Sequence, residues 1–173
     1  ALFGDRFSLS VTYFRNRFED LIDYDMVAWK YSNVAEALTR GVELSLSGVP
    51  VERVALKASY TYTKGEDQNG LPLLRRPKHK YSLDLGWRFL DSASWNLTLI
   101  GVGERDDLVF IGGSSNRAAL EGYLLVNTAL SYDPLPSVRL FARIDNLLDK
   151  NYYEAWGYGT PGFSLYGGVR FSF

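Results

Sequence analysis

Residues 54–63 read VALKASYTYT. Taken alternately they are two sequences: Val54, Leu56, Ala58, Tyr60 and Tyr62 on one side, Lys57, Ser59, Thr61 and Thr63 on the other. A period of two sends successive side chains to opposite faces of a β-strand. The stretch is predicted to be a strand with one apolar and one polar face, and the fold turns on what each face meets.

The same alternation runs outward in both directions. FSLSVTYF sets Phe7, Leu9, Val11 and Tyr13 against Ser8, Ser10 and Thr12, and GVELSLSG sets Val42, Leu44 and Leu46 against Glu43, Ser45 and Ser47. YSLDLGWRF places Tyr81, Leu83, Leu85, Trp87 and Phe89 opposite Ser82, Asp84, Gly86 and Arg88. Three further stretches, around Trp95–Leu99, Leu124–Tyr132 and Val138–Asp145, follow the rule, as does the closing YGGVRFSF, where Val169, Phe171 and Phe173 oppose Arg170 and Ser172. About eight strands are predicted, near 6–24, 29–48, 53–65, 77–90, 94–107, 120–132, 138–147 and 163–173, with no convincing helical period.

The connections divide into two kinds. Those near 48–52, 91–93 and 133–137 are short; those near 25–30, 66–76, 108–119 and 148–162 are long and rich in Gly, Asn, Asp, Ser and aromatics. Short turns on one rim and long loops on the other are the pattern of a transmembrane antiparallel up-and-down β-barrel, with an even strand number bringing both termini to the periplasmic, short-turn rim. Aromatics bounding the apolar faces fit the girdles of such a barrel. A soluble sandwich or lipocalin-type barrel, its apolar face turned inward, has the same alternation and stays open as an alternative.

Composition narrows the function. The net charge of −1 offers no basic field for nucleic acid. The absence of cysteine excludes thiolate metal sites and cysteine nucleophiles. His79, the single histidine, has no partner for a metal site and is expected at a strand start on the long-loop rim. GEDQNG (65–70) lacks the terminal bidentate Glu of a calcium loop, and GERDD (103–107) reads as a strand end passing into a polar loop. GGSSNR (112–117) has the wrong glycine spacing for a phosphate loop and reads as a flexible loop tip. No catalytic constellation is present, so no enzyme activity and no cofactor are expected. The opening ALFGDRFSLS has no basic start followed by an apolar region, so the chain is expected to be mature or cut from something longer.

Three stretches carry a family resemblance. NVAEALTRGVELSL (33–46), LLRRPKHKYSLDLGW (73–87) and VRLFARIDNLLDKNYYEAWGYGTPGFSLYGGVRFSF (138–173) resemble, in order and spacing, the strands of TonB-dependent outer-membrane receptors. Within that family GERDDLVF (103–110), LEGYLLVNTALSY (120–132) and NYYEAWGYGTPG (151–162) look most like the cobalamin-transporter branch.

The resemblance implies that residues 1–173 are the C-terminal segment of a 22-stranded plugged barrel. The plug domain, the earlier strands, the TonB-binding box and the signal peptide would then lie outside this chain. Implied partners are outer-membrane lipid, the plug and remaining strands, TonB only through the N-terminal part, the barrel assembly machinery, and a cobalamin or iron–siderophore ligand. Tyr152, Tyr153, Trp156 and Tyr158, in the most aromatic loop, are the candidate ligand contacts, and Phe173 resembles the C-terminal signal of outer-membrane barrels. The implied function is the wall and loops of an energy-coupled importer, most of all for cobalamin. A siderophore receptor of the same family, or a self-contained eight-stranded structural or adhesive barrel, is the alternative.

Overall fold

The computed structural model describes residues 6–25, 30–34 and 36–173, with backbone alone at 21, 23–25 and 30–34. The predicted turn near 25–30 falls partly outside these residues. Twelve strands follow in chain order: β1 (Phe7–Phe18), β2 (Leu21–Asp25), β3 (Lys30–Val34), β4 (Ala37–Gly48), β5 (Val54–Asp67) and β6 (His79–Leu90), then β7 (Ala93–Val102), β8 (Arg105–Ile111), β9 (Ser114–Leu120), β10 (Tyr123–Leu135), β11 (Val138–Asp145) and β12 (Ser164–Phe171).

Eight of them form one antiparallel sheet in the order β1-β4-β5-β6-β7-β10-β11-β12. The other four are two hairpins, β2–β3 and β8–β9, which prolong the β1–β4 and β7–β10 pairs beyond that sheet. The eight predicted strands correspond to this wall, each in its expected place. The sheet is open: β1 and β12 are its edges, and no pairing joins them among the described residues. An open edge exposes unpaired backbone groups, each costing several kcal/mol in lipid, so both edges need a pairing partner there.

The register explains why two-residue alternation in separate strands yields two continuous surfaces. Directly paired residues share a face, and Leu9, Leu46, Ala58, Leu83, Leu99 and Val126 lie in one row across six strands. The row Ser10, Ser45, Ser59 and Ser82 runs on the opposite face. The polar face is knitted by short bonds: Ser59 to Ser82 at 2.8 Å, Ser94 to Ser131 at 2.8 Å, and the Thr98 hydroxyl donating to Asp84 at 2.7 Å.

The apolar face is bare. Val11 is 62% exposed, and Leu9, Leu44, Leu130, Leu140 and Val169 are also exposed. Buried apolar side chains among the described residues are few: Ala37, Pro77, Ala93, Val109 and Leu120. A single-layer sheet has no core of its own, and such an apolar surface requires another apolar phase. Exposed Tyr13, Tyr62 and Tyr81 border it toward the long loops, and Trp87, Tyr132 and Phe171 toward the short turns. The run from Val54 to Tyr62 covers about 27 Å of strand, which a tilted transmembrane span requires.

Aromatic rings settle over cross-strand glycines within the wall. A Cβ on Gly101 would come within 1.9 Å of the Tyr81 ring, its direct partner, and one on Gly41 within 2.6 Å of the Phe14 ring. Glycine is required at both places by close approach, and the covered glycine restores contact that a strand glycine lacks.

Three expectations need correction. The segment 108–119 is not a long loop, and GGSSNR is not a loose tip: Gly112 and Gly113, at φ of 62° and 82°, turn β8 into β9, and Ser114 to Leu120 is strand. Two consecutive positive φ values are what a tight two-residue hairpin turn demands. GERDD does not pass from a strand end into a polar loop either: Arg105 opens β8, and Arg105 and Asp107 are buried. The last strand ends at Phe171; Ser172 still donates its N–H to Ser137 at 2.9 Å, while Phe173 projects beyond the sheet.

Candidate functional site

The long-loop rim is where side chains rather than ladder bonds decide the structure. Three segments meet there: the β5–β6 connection, the β8–β9 hairpin and the β11–β12 connection. Asp107, 0% exposed, joins them. Its Oδ1 accepts from Arg75 Nε at 2.7 Å and from the N–H of Leu108 at 2.8 Å; its Oδ2 accepts from the N–H of Trp156 at 2.6 Å.

Burial alone drives the Asp107 carboxyl upward, yet the Trp156 N–H, the Arg75 guanidinium and the Leu108 N–H outweigh it and hold the pKa below the usual value. The carboxylate is therefore charged at neutral pH. Arg75 sits at φ 56°, a strained position for a residue with a Cβ, and is fixed there by Asp107 and by its own N–H donating to the Asp106 carbonyl at 2.7 Å.

Arg105 is the second clamp. It donates to the Tyr153 carbonyl and lies 5.4 Å over the Tyr123 ring, which in turn packs 4.4 Å from the Tyr152 ring. Arg117 adds a third tie, donating to the Pro72 carbonyl at 2.7 Å and to Asp106 at 3.3 Å. The β8–β9 hairpin thus acts as a brace between two loops more than thirty residues apart in each direction.

The aromatic loop has its own internal frame. Asn146, at φ 50°, accepts from the Lys150 N–H at 2.8 Å and donates to the carbonyls of Lys150 at 3.0 Å and Pro161 at 3.2 Å. Asp149, at φ 49°, accepts from the Phe163 N–H at 2.8 Å, and a Cβ on Gly162 would come within 2.6 Å of its Oδ1. Asn and Asp tolerate the left-handed region and bond nearby backbone, which is why they sit at these bends. These residues shape the loop.

The four candidate aromatics have different surroundings. Tyr152 is half-buried against Tyr123. Tyr153, Trp156 and Tyr158 are exposed, Tyr158 by 73%. Tyr152, Tyr153 and Trp156 line one cleft of about 260 Å³ together with Leu120 and Lys150, and Tyr158 is not part of that lining. Asp107 and Arg105 were not legible as rim clamps in the sequence; the available signal was the continuous apolar run Leu108–Ile111 directly after GERDD.

Elsewhere the small motifs resolve into local structure. Asp67 Oδ1 accepts from the N–H groups of Asn69 at 2.8 Å and Leu71 at 2.9 Å, so the GEDQNG carboxylate serves its own turn. His79 opens β6 as expected, its Nδ1 2.8 Å from the Tyr60 hydroxyl. Among the described residues no cluster of three His, Cys, Asp or Glu side chains is placed to hold a metal.

A single-layer antiparallel wall with a bare apolar face, aromatic borders and braced loops on one rim defines the class: a segment of an outer-membrane β-barrel. Residues 2–147 match the family described as TonB dependent receptor-like, beta-barrel, and the chain belongs to that family. Its members are transport proteins, not enzymes.

Among curated relatives, the chain is 32% identical over 168 residues to the vitamin B12 transporter BtuB of Vibrio cholerae serotype O1, covering 95% of this chain and 27% of that protein. Among solved structures it resembles the receptor in the FpvAI–pyocin S2 complex, with a TM-score of 0.83 at 21% identity over 98% of this chain and 26% of that one. It also resembles the siderophore receptor PirA of Acinetobacter baumannii, with a TM-score of 0.80 at 18% identity over 98% of this chain and 30% of the other. At these identities the structural likeness establishes the fold. The chain spans about a quarter of the length of the relatives it matches.

Proposed function

We propose that this chain is the C-terminal wall and loop portion of an energy-coupled importer that captures a bulky metal chelate at the cell surface. In this reading the complete barrel has 22 strands around a plug, the polar face lines the lumen, and the short-turn rim with both termini is periplasmic. Phe173 at that rim is the element offered to the assembly machinery. TonB acts through the part of the protein beyond this chain.

The observation that carries ligand capture is the braced aromatic loop. Tyr153, Trp156 and Tyr158 are exposed, while the backbone beneath them is pinned by Asp107, Arg105 and Asn146. Rigid exposed aromatics lose little entropy on binding, and loops on a fixed scaffold are where recognition concentrates.

In this reading the ligand is a metal chelate, the iron–siderophore class first. GERDDLVF looks like the cobalamin branch, but its buried residues Arg105 and Asp107 are occupied in bracing loops. The cobalamin reading keeps one specific support, the 32% identity to vitamin B12 transporters. Direct binding to the full-length receptor, titrated in parallel with ferric siderophores and with cyanocobalamin, separates the two. Trp156→Ala combined with Tyr158→Ala is expected to weaken whichever ligand binds by tenfold or more, taking about 1.4 kcal/mol per decade. Unchanged affinity would remove these rings from the site.

A further inference from the structure

The rim holds a second cleft, of about 300 Å³, between the top of β5, the β5–β6 connection and the start of β8. Arg105 lies on its lining and is only 6% exposed. A guanidinium carries five N–H donors. The Arg105 Nη2 is spent on the Tyr153 carbonyl, and its guanidinium carbon sits over the Tyr123 ring. Its Nη1 is the one buried side-chain nitrogen or oxygen among the described residues without a hydrogen-bond partner. Leaving a buried charged donor unpaired costs more than leaving a neutral one, so this atom calls for an acceptor.

The charges around the cleft decide which kind. On its lining Lys64 is paired with Glu66 at 2.6 Å, and Asp106 is taken by Arg117 at 3.3 Å. That leaves Arg76, Lys78 and Arg105 against a single carboxylate, Glu104. Arg76, Lys78 and Glu104 are exposed and make no ion pair or side-chain hydrogen bond among the described residues. The β5–β6 connection and β8 thus bring three cations to one recess, and the most buried of them has the unpaired donor.

We propose that this cleft is an oxyanion site, with Arg105 as its floor and Arg76 and Lys78 at its mouth, taking a phosphate or carboxylate group. Guanidinium forks suit the oxygens of either group, and lysine adds a point charge. The site is separate from the aromatic cleft, with which it shares no lining residue. Arg105 links the two, because its Nη2 holds the carbonyl of Tyr153, which lines the aromatic cleft. An oxyanion on Nη1 fixes the guanidinium and, through it, Tyr153, so an occupied site stiffens the aromatic loop. By linkage, whatever orders that loop tightens the oxyanion in turn. Two carriers present this chemistry, a free anion and an anionic arm of the imported nutrient, and only the second rests on the importer reading.

The test uses the full-length receptor in detergent, with inorganic phosphate as the probe at constant ionic strength. Equilibrium dialysis of labelled phosphate should show saturable binding. It should weaken roughly tenfold to a hundredfold in Arg76→Gln/Lys78→Gln and in Arg105→Lys, which keeps the charge and loses the fork. Glu104→Gln removes the like charge and should tighten binding about twofold to fivefold. Phosphate should also slow hydrogen exchange within 151–158 in the wild type and not in Arg105→Lys. Phosphate that competes with cyanocobalamin or a ferric siderophore assigns the site to the nutrient's arm, and phosphate that leaves nutrient binding equal or tighter assigns it to a free anion; both keep the site. A receptor that binds phosphate and neither nutrient fails the importer reading alone. Non-saturable binding, or binding unchanged in both weakened variants, overturns the proposal. Binding seen only in Glu104→Gln would make Glu104 the acceptor for Arg105 and overturns it as well. If Arg105→Lys fails to fold, Arg76→Gln/Lys78→Gln decides.

Discussion

The wall and the long-loop rim are ordered by opposite means. In the wall every strand repeats the same two-residue code and bonds its neighbours through backbone, so no one side chain decides the outcome. At the rim a handful of side chains, Asp107, Arg105, Asn146 and Asp149, hold loops that have no ladder of their own. The first region is robust to change on its polar face and intolerant on its apolar one. The second is indifferent at most positions and brittle at a few.

The largest expected effect tests the facing of the wall. Leu85 lies mid-row on the apolar face, paired with Leu56 and Leu97. Leu85→Arg should cost about 2–4 kcal/mol in refolding into lipid vesicles, and Val169→Arg less, since it shares a row with the border residue Tyr132 through Leu140. Ser45→Arg, on the polar face, should cost far less. Equal penalties at Leu85 and Ser45 would mean that the two faces are assigned wrongly.

At the rim the corresponding break is Asp107→Ala. It strips the acceptor from Arg75 and from the Trp156 N–H at once, and hydrogen bonds to a charged group are worth about 1.5–3 kcal/mol. The loss should appear as faster hydrogen exchange and proteolysis within 150–163, with the wall's exchange unchanged. If the wall loosens as well, the rim is not the separate structural layer described above.

Gly101→Ala probes the wall more gently. The added Cβ meets the Tyr81 ring, and displacing it should cost about 1–3 kcal/mol as overpacking does. The double change with Tyr81→Ala should recover most of that cost, because the collision is with that one ring. A double variant no better than the sum of its parts would place the damage elsewhere.

These differences also explain what the sequence made legible. Alternation is a local property, so VALKASYTYT and YSLDLGWRF announced their strands, their faces and their neighbours without any knowledge of tertiary contacts. The brace was hidden because its code is not periodic. Gly103 and Glu104 interrupt the alternation between β7 and β8, and the charges in GERDD look like solvated loop until Arg75 and Trp156 arrive from distant parts of the chain. Polar residues that bury themselves by pairing across thirty or more positions leave no signal in their own segment. The same limit applied to GGSSNR, where polarity suggested a loose tip and two positive-φ glycines formed a tight turn.

The smallest effect separates the regions by pH. The wall's strand pairing rests on backbone bonds and apolar burial, which do not titrate, whereas the loop tie depends on the Asp107 carboxylate. That carboxyl has a folded pKa held below its unfolded value of about 3.9. A depressed folded pKa means the unfolded state takes up protons first on acidification. The tie is therefore fully present above about pH 3.9 and is lost progressively as pH falls through the lower folded value. A spin label on Gly159→Cys, an exposed position where a Cβ meets nothing within 4 Å, reports the loop, and residues 1–173 hold no other cysteine to label. The label should stay restrained to about pH 4 and gain mobility only below it. In Asp107→Asn its mobility should be high and independent of pH across that window. Release at pH 5–6 in the native protein would mean that another group, and not Asp107, governs the tie.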